Sequence, residues 1–226
     1  QGFLDFFENW WTFYLELQMP NTVVVVAEDD QVFKNLQAPK YTNKITVERS
    51  NLVSHSGAEN YGTKDYRKIV SSRAEHILRH LHAGQDILYS DIDTVWRSDP
   101  TPYIEGASDK VDIIAQVDSM NNPHYTPYFC TGFMGVYSNA RSIDLMERWN
   151  KELMKSPQMN QPIFNKLLHT KGLHSVEFSA LSLDLFPPGI KYFGPATAGQ
   201  ATKFKVLTRE DKKNVVVVHN NFIMLH

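Results

Sequence analysis

The chain has one cysteine, an almost neutral charge and no long apolar run, and each of these absences excludes a class of protein. Cys130 alone cannot form an internal disulfide or a cysteine-based metal cluster. A formal net charge of −2 over 226 residues argues against a dedicated nucleic-acid-binding protein, which would carry a basic face. No apolar run approaches the roughly 18 residues that a membrane-spanning helix needs. We therefore expect any membrane association to use an anchor outside this sequence.

The apolar residues that are present indicate one well-packed domain over residues 1–226, since they make up 42% of the chain. Periodicity predicts helices and strands that alternate along the sequence. The helices are predicted at 3–17, 67–82, 138–154 and 160–172, and the strands at 21–27, 44–48, 86–90, 111–117 and 215–218. This alternation predicts a doubly wound α/β domain with a mostly parallel sheet. Because such domains begin with a strand and this chain begins with a helix, we expect a first strand upstream of Gln1.

Two carboxylates spaced one residue apart follow the predicted strand 86–90. Ligands of α/β proteins bind at the carboxyl ends of strands, so Asp91 and Asp93 lie where chemistry is expected. Two hard oxygen donors at this spacing suit a divalent cation that also holds phosphates.

An Asp-x-Asp pair also begins two unrelated kinds of site, a calcium loop and a phosphatase motif. A calcium-binding EF-hand loop starting at Asp91 needs glycine and glutamate at its sixth and twelfth positions, where this chain has Trp96 and Pro102. In haloacid-dehalogenase phosphatases the first aspartate, here Asp91, would be phosphorylated. These enzymes need a later acidic pair, typically after a Gly-Asp dipeptide, and this sequence contains no Gly-Asp. The phosphatase is kept as an alternative.

Five segments in order resemble motifs of the nucleotide-diphospho-sugar transferase family, the group around the plant cell-wall xylosyltransferases (glycosyltransferase family 77). They are residues 88–100 (LYSDIDTVWRSDP), 131–134 (TGFM), 160–165 (NQPIFN), 186–189 (FPPG) and 219–222 (HNNF). Two positions depart from the family pattern: Asn160 stands where aspartate is common, and Phe222 where tryptophan is common.

The resemblance implies a GT-A-type, Rossmann-like fold and a retaining glycosyltransferase that uses a nucleoside-diphosphate sugar, with UDP expected as the nucleotide. It also implies a divalent cation, Mn²⁺ or Mg²⁺, bound directly by Asp93 and His219. Asp91 would be a third ligand or would bind the donor ribose. For His219, a buried histidine without a ligand is the alternative.

Further site residues are expected from their places along the predicted helices, strands and loops and, for Gln161, from the same resemblance. Arg73, 18 residues before Asp91, would reach the donor phosphates, unless it is a surface arginine. Thr131 and Gly132 would let the donor sugar approach the backbone. Asp118 would accept hydrogen bonds from sugar hydroxyls, or it is a turn aspartate. Gln161 would lie beneath the anomeric carbon as the catalytic residue, beside Asn160, which is also expected to cap its helix.

The resemblance also implies a glycan or glycoconjugate acceptor and a location in the Golgi lumen, where full-length members are type II membrane proteins. A third alternative is a catalytically idle domain that binds nucleotide or carbohydrate and keeps the fold. Donor turnover would distinguish the enzyme from that domain.

Overall fold

The structure is a computed structural model, and it describes residues 4–42, 44–50, 64–120, 122–155, 159–170, 176–194 and 204–221. None of the helices in these ranges is long and apolar enough to cross a membrane. In chain order the elements are α1 (Leu4–Glu16), β1 (Val23–Ala27), α2 (Asp30–Leu36), α3 (Pro39–Thr42), β2 (Ile45–Arg49), α4 (Lys64–His82), β3 (Ile87–Ser90), β4 (Thr94–Trp96), α5 (Thr101–Glu105), β5 (Ile113–Ser119), β6 (Tyr128–Val136), α6 (Ala140–Lys155), α7 (Asn160–Leu168), β7 (Phe178–Ala180), α8 (Gly189–Phe193), a 3₁₀ turn (Asp211–Asn214) and β8 (Val217–His219).

The strands form three small sheets that mix parallel and antiparallel pairs. β1 pairs with β2 in parallel, and the central sheet has the order β3-β6-β5-β7. β6 is antiparallel to both β3 and β5, β5 is parallel to β7, and β4 is antiparallel to β8. The α/β class is as predicted, and the expected mostly parallel sheet is found in the strand directions, since β3, β5 and β7 run the same way and β6 alone runs against them. Residues 120–127, which join β5 to β6, are too few for the crossover that parallel neighbours require.

One core cluster fills the space between the central sheet and the helices α4, α6 and α7. Its largest side chain is Trp149 of α6, which is fully buried and packs edge-on against Phe164 of α7 at 5.0 Å between ring centroids. The Trp149 indole also donates a hydrogen bond of 3.0 Å to the carbonyl of Asn160. This contact fixes the N-terminal end of α7 against α6.

The second core cluster contains the aromatic stripe of α1. Phe7, Trp10, Trp11 and Tyr14 are buried, as the helical spacing predicts. The rings of Trp10 and Tyr14 meet Trp96 of β4 edge-on, at 5.7 and 5.9 Å. The first helix therefore supports the short strand that directly follows Asp93.

Most predicted elements are present with bounds shifted by a few residues. The helix predicted at 67–82 begins at Lys64 and ends before Gly84, whose φ of +75° suits a helix terminus. Asn139 caps α6, since its side chain accepts hydrogen bonds from the amides of Arg141 and Ser142. The helix predicted at 160–172 ends at Leu168, and Gly172 lies outside the described residues.

The structure differs from the sequence pattern at two places. The pattern does not predict the long central strand β6, because its two glycines depress strand propensity. Asn160 is not the N-cap of α7; that position is Met159. The Asn160 amide instead donates a hydrogen bond of 2.9 Å to the carbonyl of Val70, because packing against α4 draws the side chain away from the helix end.

We predict that Trp149→Ala lowers the free energy of unfolding by about 3–5 kcal/mol, because it leaves a cavity between α6 and α7 and removes the indole hydrogen bond. Urea denaturation of both proteins measures this loss. Trp149→Phe keeps most of the packing and should lose less. A loss below about 1 kcal/mol for the alanine variant would contradict the role given to this contact.

Candidate functional site

Strand pairing brings Asp91, Asp93 and His219 together. β3 pairs with β6 so that Ser90 lies opposite Phe133, and the next amide, that of Asp91, donates a hydrogen bond of 2.7 Å to the carbonyl of Gly132. β4 pairs with β8 so that Thr94 lies opposite His219, which sets Asp93 beside the histidine. A backbone hydrogen bond of 3.0 Å from Asn220 to the carbonyl of Asp93 closes this arrangement.

The three side chains offer ligand atoms that all lie within 4.8 Å of one another. His219 Nε2 is 3.1 Å from Asp93 Oδ1 and 4.0 Å from Asp91 Oδ2. Ligand atoms of one octahedral cation stand about 3 Å apart when adjacent and about 4 Å apart when opposite, given metal–oxygen distances of about 2.1 Å. Two carboxylates and one imidazole therefore fit a divalent cation such as Mn²⁺ or Mg²⁺.

Gly132 forms the floor of this cluster. A Cβ added there would lie 2.4 Å from His219 Cε1 and 2.5 Å from Asp91 Oδ2. Any larger residue would push these two side chains apart, so the position requires glycine because of close approach.

Arg73 lies beneath Asp91 and is buried, with 8% of the residue exposed. Its guanidinium donates hydrogen bonds of 2.6 Å to Asp91 Oδ1 and 2.7 Å to Thr131 Oγ1, and its central carbon lies 4.8 Å from the centre of the Tyr89 ring. The Tyr89 hydroxyl donates to the same Asp91 oxygen at 3.0 Å. Asp91 Oδ1 is thus occupied, and its Oδ2 is left facing His219. The alternative of a surface arginine is wrong.

The three ligand candidates have shifted pKa values. Burial raises the pKa of Asp91 above its usual value, against the opposing charges of Arg73 and His219. For Asp93, burial is outweighed by the hydrogen bond and charge of His219, which lower its pKa. Burial also opposes the imidazolium of His219, yet its contacts with Cys130 and with the carboxylate of Asp93 raise the pKa of His219. A cation bound here would therefore replace a proton held between His219 and Asp93.

A second polar group lies beside this cluster around Asp118, which is inside β5 and is not a turn aspartate. Gln161 Nε2 and Asn221 Nδ2 donate to the two Asp118 oxygens at 2.9 and 3.0 Å. The Thr131 amide donates to Gln161 Oε1 at 3.2 Å. Thr131 thus joins both groups, since its hydroxyl binds Arg73 and its amide binds Gln161.

Most of the predicted site residues are joined by these contacts: Arg73, Asp91, Asp93, Asp118, Thr131, Gly132, Gln161 and His219. Asn160 is only 5% exposed and its side chain faces α4, away from this group. Phe222 lies outside the described residues.

The sequence prediction missed Tyr89 and Gln116. Tyr89 binds Asp91, and Gln116 Oε1 lies 3.0 Å from His219 Nδ1. For Gln116 the sequence did contain a signal, because it is the single polar residue in the apolar run Ile113–Val117. It lies two positions before Asp118, and alternate residues of a strand point to the same face.

The α/β fold, with Asp-x-Asp after a strand and a histidine closing the cluster, defines a GT-A-type protein. The sequence profile of the nucleotide-diphospho-sugar transferase family matches residues 19–225, so the chain belongs to this family.

Curated relatives are similar over most of this chain. UDP-D-xylose:L-fucose alpha-1,3-D-xylosyltransferase of Arabidopsis thaliana is 27% identical over 240 aligned positions, which cover 98% of this chain and 62% of the relative. UDP-galactose:fucoside alpha-3-galactosyltransferase of Dictyostelium discoideum is 24% identical over 196 positions, covering 75% of this chain and 27% of the relative. This chain thus spans about three fifths of the length of the plant xylosyltransferase.

Solved glycosyltransferases share the fold. GlyE of Streptococcus pneumoniae TIGR4 superposes with a TM-score of 0.59 and 13% identity, covering 99% of this chain and 52% of that chain. Mouse xyloside xylosyltransferase 1 superposes with a TM-score of 0.56 and 13% identity, covering 98% and 93%. At these identities the likeness confirms the fold class alone.

We predict that Gly132→Ala abolishes metal binding at the cluster, because the added methyl group separates His219 from Asp91. Titration with Mn²⁺, followed by the electron paramagnetic resonance of the free ion, measures it. Gly135→Ala is the matched control on the same strand, since its methyl group would meet Ile104 and Ile114 in the core. Gly135→Ala should lower the stability of the protein, while the folded variant should bind metal with the affinity of the parent chain. Equal affinities for Gly132→Ala and the parent chain would disprove this assignment.

Proposed function

We propose that this chain is the catalytic domain of a metal-dependent, retaining glycosyltransferase that moves a sugar from a UDP-sugar to a glycan or glycoconjugate acceptor. The observation that carries the proposal is the Asp91–Asp93–His219 cluster above Gly132, in a chain that belongs to the nucleotide-diphospho-sugar transferase family. Since the chain covers only part of its curated relatives, its activity and substrates are proposals about this chain.

The site residues have two proposed roles: some hold the donor and its cation, and others stabilise the reacting carbon. When bound, the cation supplies Lewis-acid stabilisation of the leaving diphosphate. Asp93, His219 and the free oxygen of Asp91 would hold it. Arg73 keeps Asp91 in position and compensates its charge, a supporting role in place of the direct phosphate contact that its position in the sequence predicts.

The Gln161–Asp118 pair would lie under the donor sugar. An amide is a poor nucleophile, and both functional atoms of Gln161 are already hydrogen bonded, so a covalent intermediate on it is disfavoured. We infer a front-face substitution instead. The bond from the anomeric carbon to the phosphate oxygen breaks, the acceptor oxygen bonds to the same face of that carbon, and the acceptor proton passes to the departing phosphate. Gln161 and Asp118 would stabilise the positive charge that develops on the sugar.

The names of the curated relatives reduce the number of donor sugars to test first. Their names specify transfer from UDP-xylose and from UDP-galactose, in both cases to a fucose or fucoside acceptor. We therefore propose UDP-xylose and UDP-galactose as the first donors to test. The Golgi location and an anchor outside this chain remain predictions from the family resemblance.

The alternatives predict different chemistry at Asp91. A phosphatase needs a free Asp91 oxygen as nucleophile and further acidic metal ligands. Among the described residues, the only cluster of three or more potential metal ligands is Asp91, Asp93 and His219, so the further acidic ligands that a phosphatase needs are not found there. An idle domain would bind UDP with the metal but would neither hydrolyse nor transfer the sugar.

We predict that UDP binds the purified chain in the presence of Mn²⁺ and not in EDTA, and that Asp93→Ala weakens this binding more than about 100-fold, because it removes a direct ligand. Calorimetric titration measures both effects. Asp86→Ala is the matched control, since Asp86 precedes β3, at the end opposite to Asp91, and binds the amide of Ser138.

Three results would redirect the proposal. Retained metal-dependent binding by Asp93→Ala would remove the metal assignment. Absence of UDP binding in either condition would count against a nucleotide-sugar site. Binding without release of sugar from UDP-xylose or UDP-galactose, in the presence of fucosides, would favour the idle domain.

The stability of the protein should also depend on pH through Asp118. Burial raises the pKa of Asp118 from 3.8 to about 6. Because the folded protein holds this proton more tightly than the unfolded chain, ionisation costs stability progressively as pH rises from about 4 to about 6. Asp118→Asn removes that cost. Its stability relative to the parent chain should therefore increase by about 1–3 kcal/mol across this window and stay constant outside it.

Urea denaturation at about pH 4, 5, 6 and 7.5 measures this difference. The constant cost of a changed hydrogen-bond pattern cancels when values at different pH are compared. A difference between the two proteins that does not change with pH would contradict the shifted pKa.

A further inference from the structure

Gln116 is a fully buried amide placed between the backbone and the ring of His219. It lies on β5 with 0% exposure. Its Nε2 donates a hydrogen bond of 3.1 Å to the carbonyl of Phe186, and its Oε1 lies 3.0 Å from His219 Nδ1. None of the proposed contacts to metal or sugar uses this residue.

The partners of Gln116 determine which of its atoms faces the histidine. A backbone carbonyl can only accept a hydrogen bond, so the atom facing Phe186 must be the NH₂ group of the amide. The amide oxygen is then the atom that faces His219, and it can only accept. The short contact with Nδ1 therefore requires a hydrogen on that nitrogen.

Cys130 agrees with this assignment. Its sulfur is 3.5 Å from His219 Nδ1 and accepts a hydrogen bond of 3.4 Å from the amide of Gly132. A sulfur acting as acceptor also suits a hydrogen on Nδ1. Two acceptors on that side of the ring leave Nε2, on the other side, directed at Asp93 and Asp91.

We propose that Gln116 is a positioning residue that keeps the hydrogen of His219 on Nδ1, so that the lone pair of Nε2 is available to a divalent cation. This inference rests on the proposed function. Without Gln116, the carboxylate of Asp93 at 3.1 Å favours the opposite tautomer, with the hydrogen on Nε2, which cannot bind a metal. Gln116 opposes that preference from the far side of the ring.

The test compares three variants by Mn²⁺ titration. Gln116→Met has similar length but no acceptor, and it should weaken Mn²⁺ binding about 10–100-fold, as loss of a group that orients a metal-binding histidine does. Gln116→Glu keeps an acceptor beside Nδ1 and should restore much of the affinity. Asn165→Leu is the matched control: Asn165 is also 0% exposed, and its amide binds the backbone of Phe129 and of Gln161 without touching His219 or its proposed metal-binding partners.

A second measurement reads the tautomer directly. Long-range ¹⁵N–¹H spectra of protein labelled in histidine, with Mg²⁺ as a diamagnetic cation, distinguish the two ring nitrogens. The His219 signal is identified by its loss in His219→Gln. The parent chain should show the hydrogen on Nδ1. Since this spectrum does not depend on any Gln116 variant, it decides the assignment even if Gln116→Met fails to fold.

The failures are distinguishable. Parent-like Mn²⁺ affinity in Gln116→Met, or an equal loss in Asn165→Leu, would overturn the role of Gln116 while leaving the metal site intact. A hydrogen on Nε2 in the Mg²⁺-bound parent would overturn that role and would also remove His219 Nε2 from the proposed ligands. No Mn²⁺ binding by the parent chain would overturn the proposed metal site and this role with it.

Discussion

The pairing of β4 with β8 is the constraint on which the site depends. Only three residues pair on each side, yet this register sets Asp93 beside His219, which is 126 residues later in the chain. The FPPG segment supports the same contact, because the amide of His219 binds the carbonyl of Pro187 and Gln116 binds that of Phe186. Side chains from two distant segments are thereby brought together by backbone hydrogen bonds, which occupy none of the side-chain atoms that would bind a cation.

A second consequence of this arrangement is that the charged side chains of the site are paired with one another before any ligand binds. Arg73 opposes Asp91, and His219 opposes Asp93, so each carboxylate has a partner in the protein. The buried charges are tolerated because they are compensated. Asp118 differs, since its two partners are neutral amides, and it is the carboxylate whose pKa is raised to about 6.

The sequence predicted the parts of this protein that depend on local pattern. The aromatic spacing of α1, the glycine after α4 and the Asp-x-Asp after β3 are short-range signals, and the structure confirms the elements they mark. The ordered motifs predicted the family. The antiparallel path of β6, the side chain of Asn160 and the contact of Gln116 could not be predicted in this way. Each is decided by a partner that is remote in the sequence: β3, Val70 and His219.

The packing of α1 against β4 connects the beginning of the chain to the loop that carries the two aspartates. Trp96 lies between them: its rings meet Trp10 and Tyr14, and its indole nitrogen is 3.2 Å from the Thr94 hydroxyl. If detachment of α1 from Trp96 releases this loop, a ligand that binds only when the loop is held in place must also oppose that detachment, since linkage is reciprocal. Occupancy of the site would then be visible as slower amide hydrogen exchange in α1, a helix that contributes no ligand of its own.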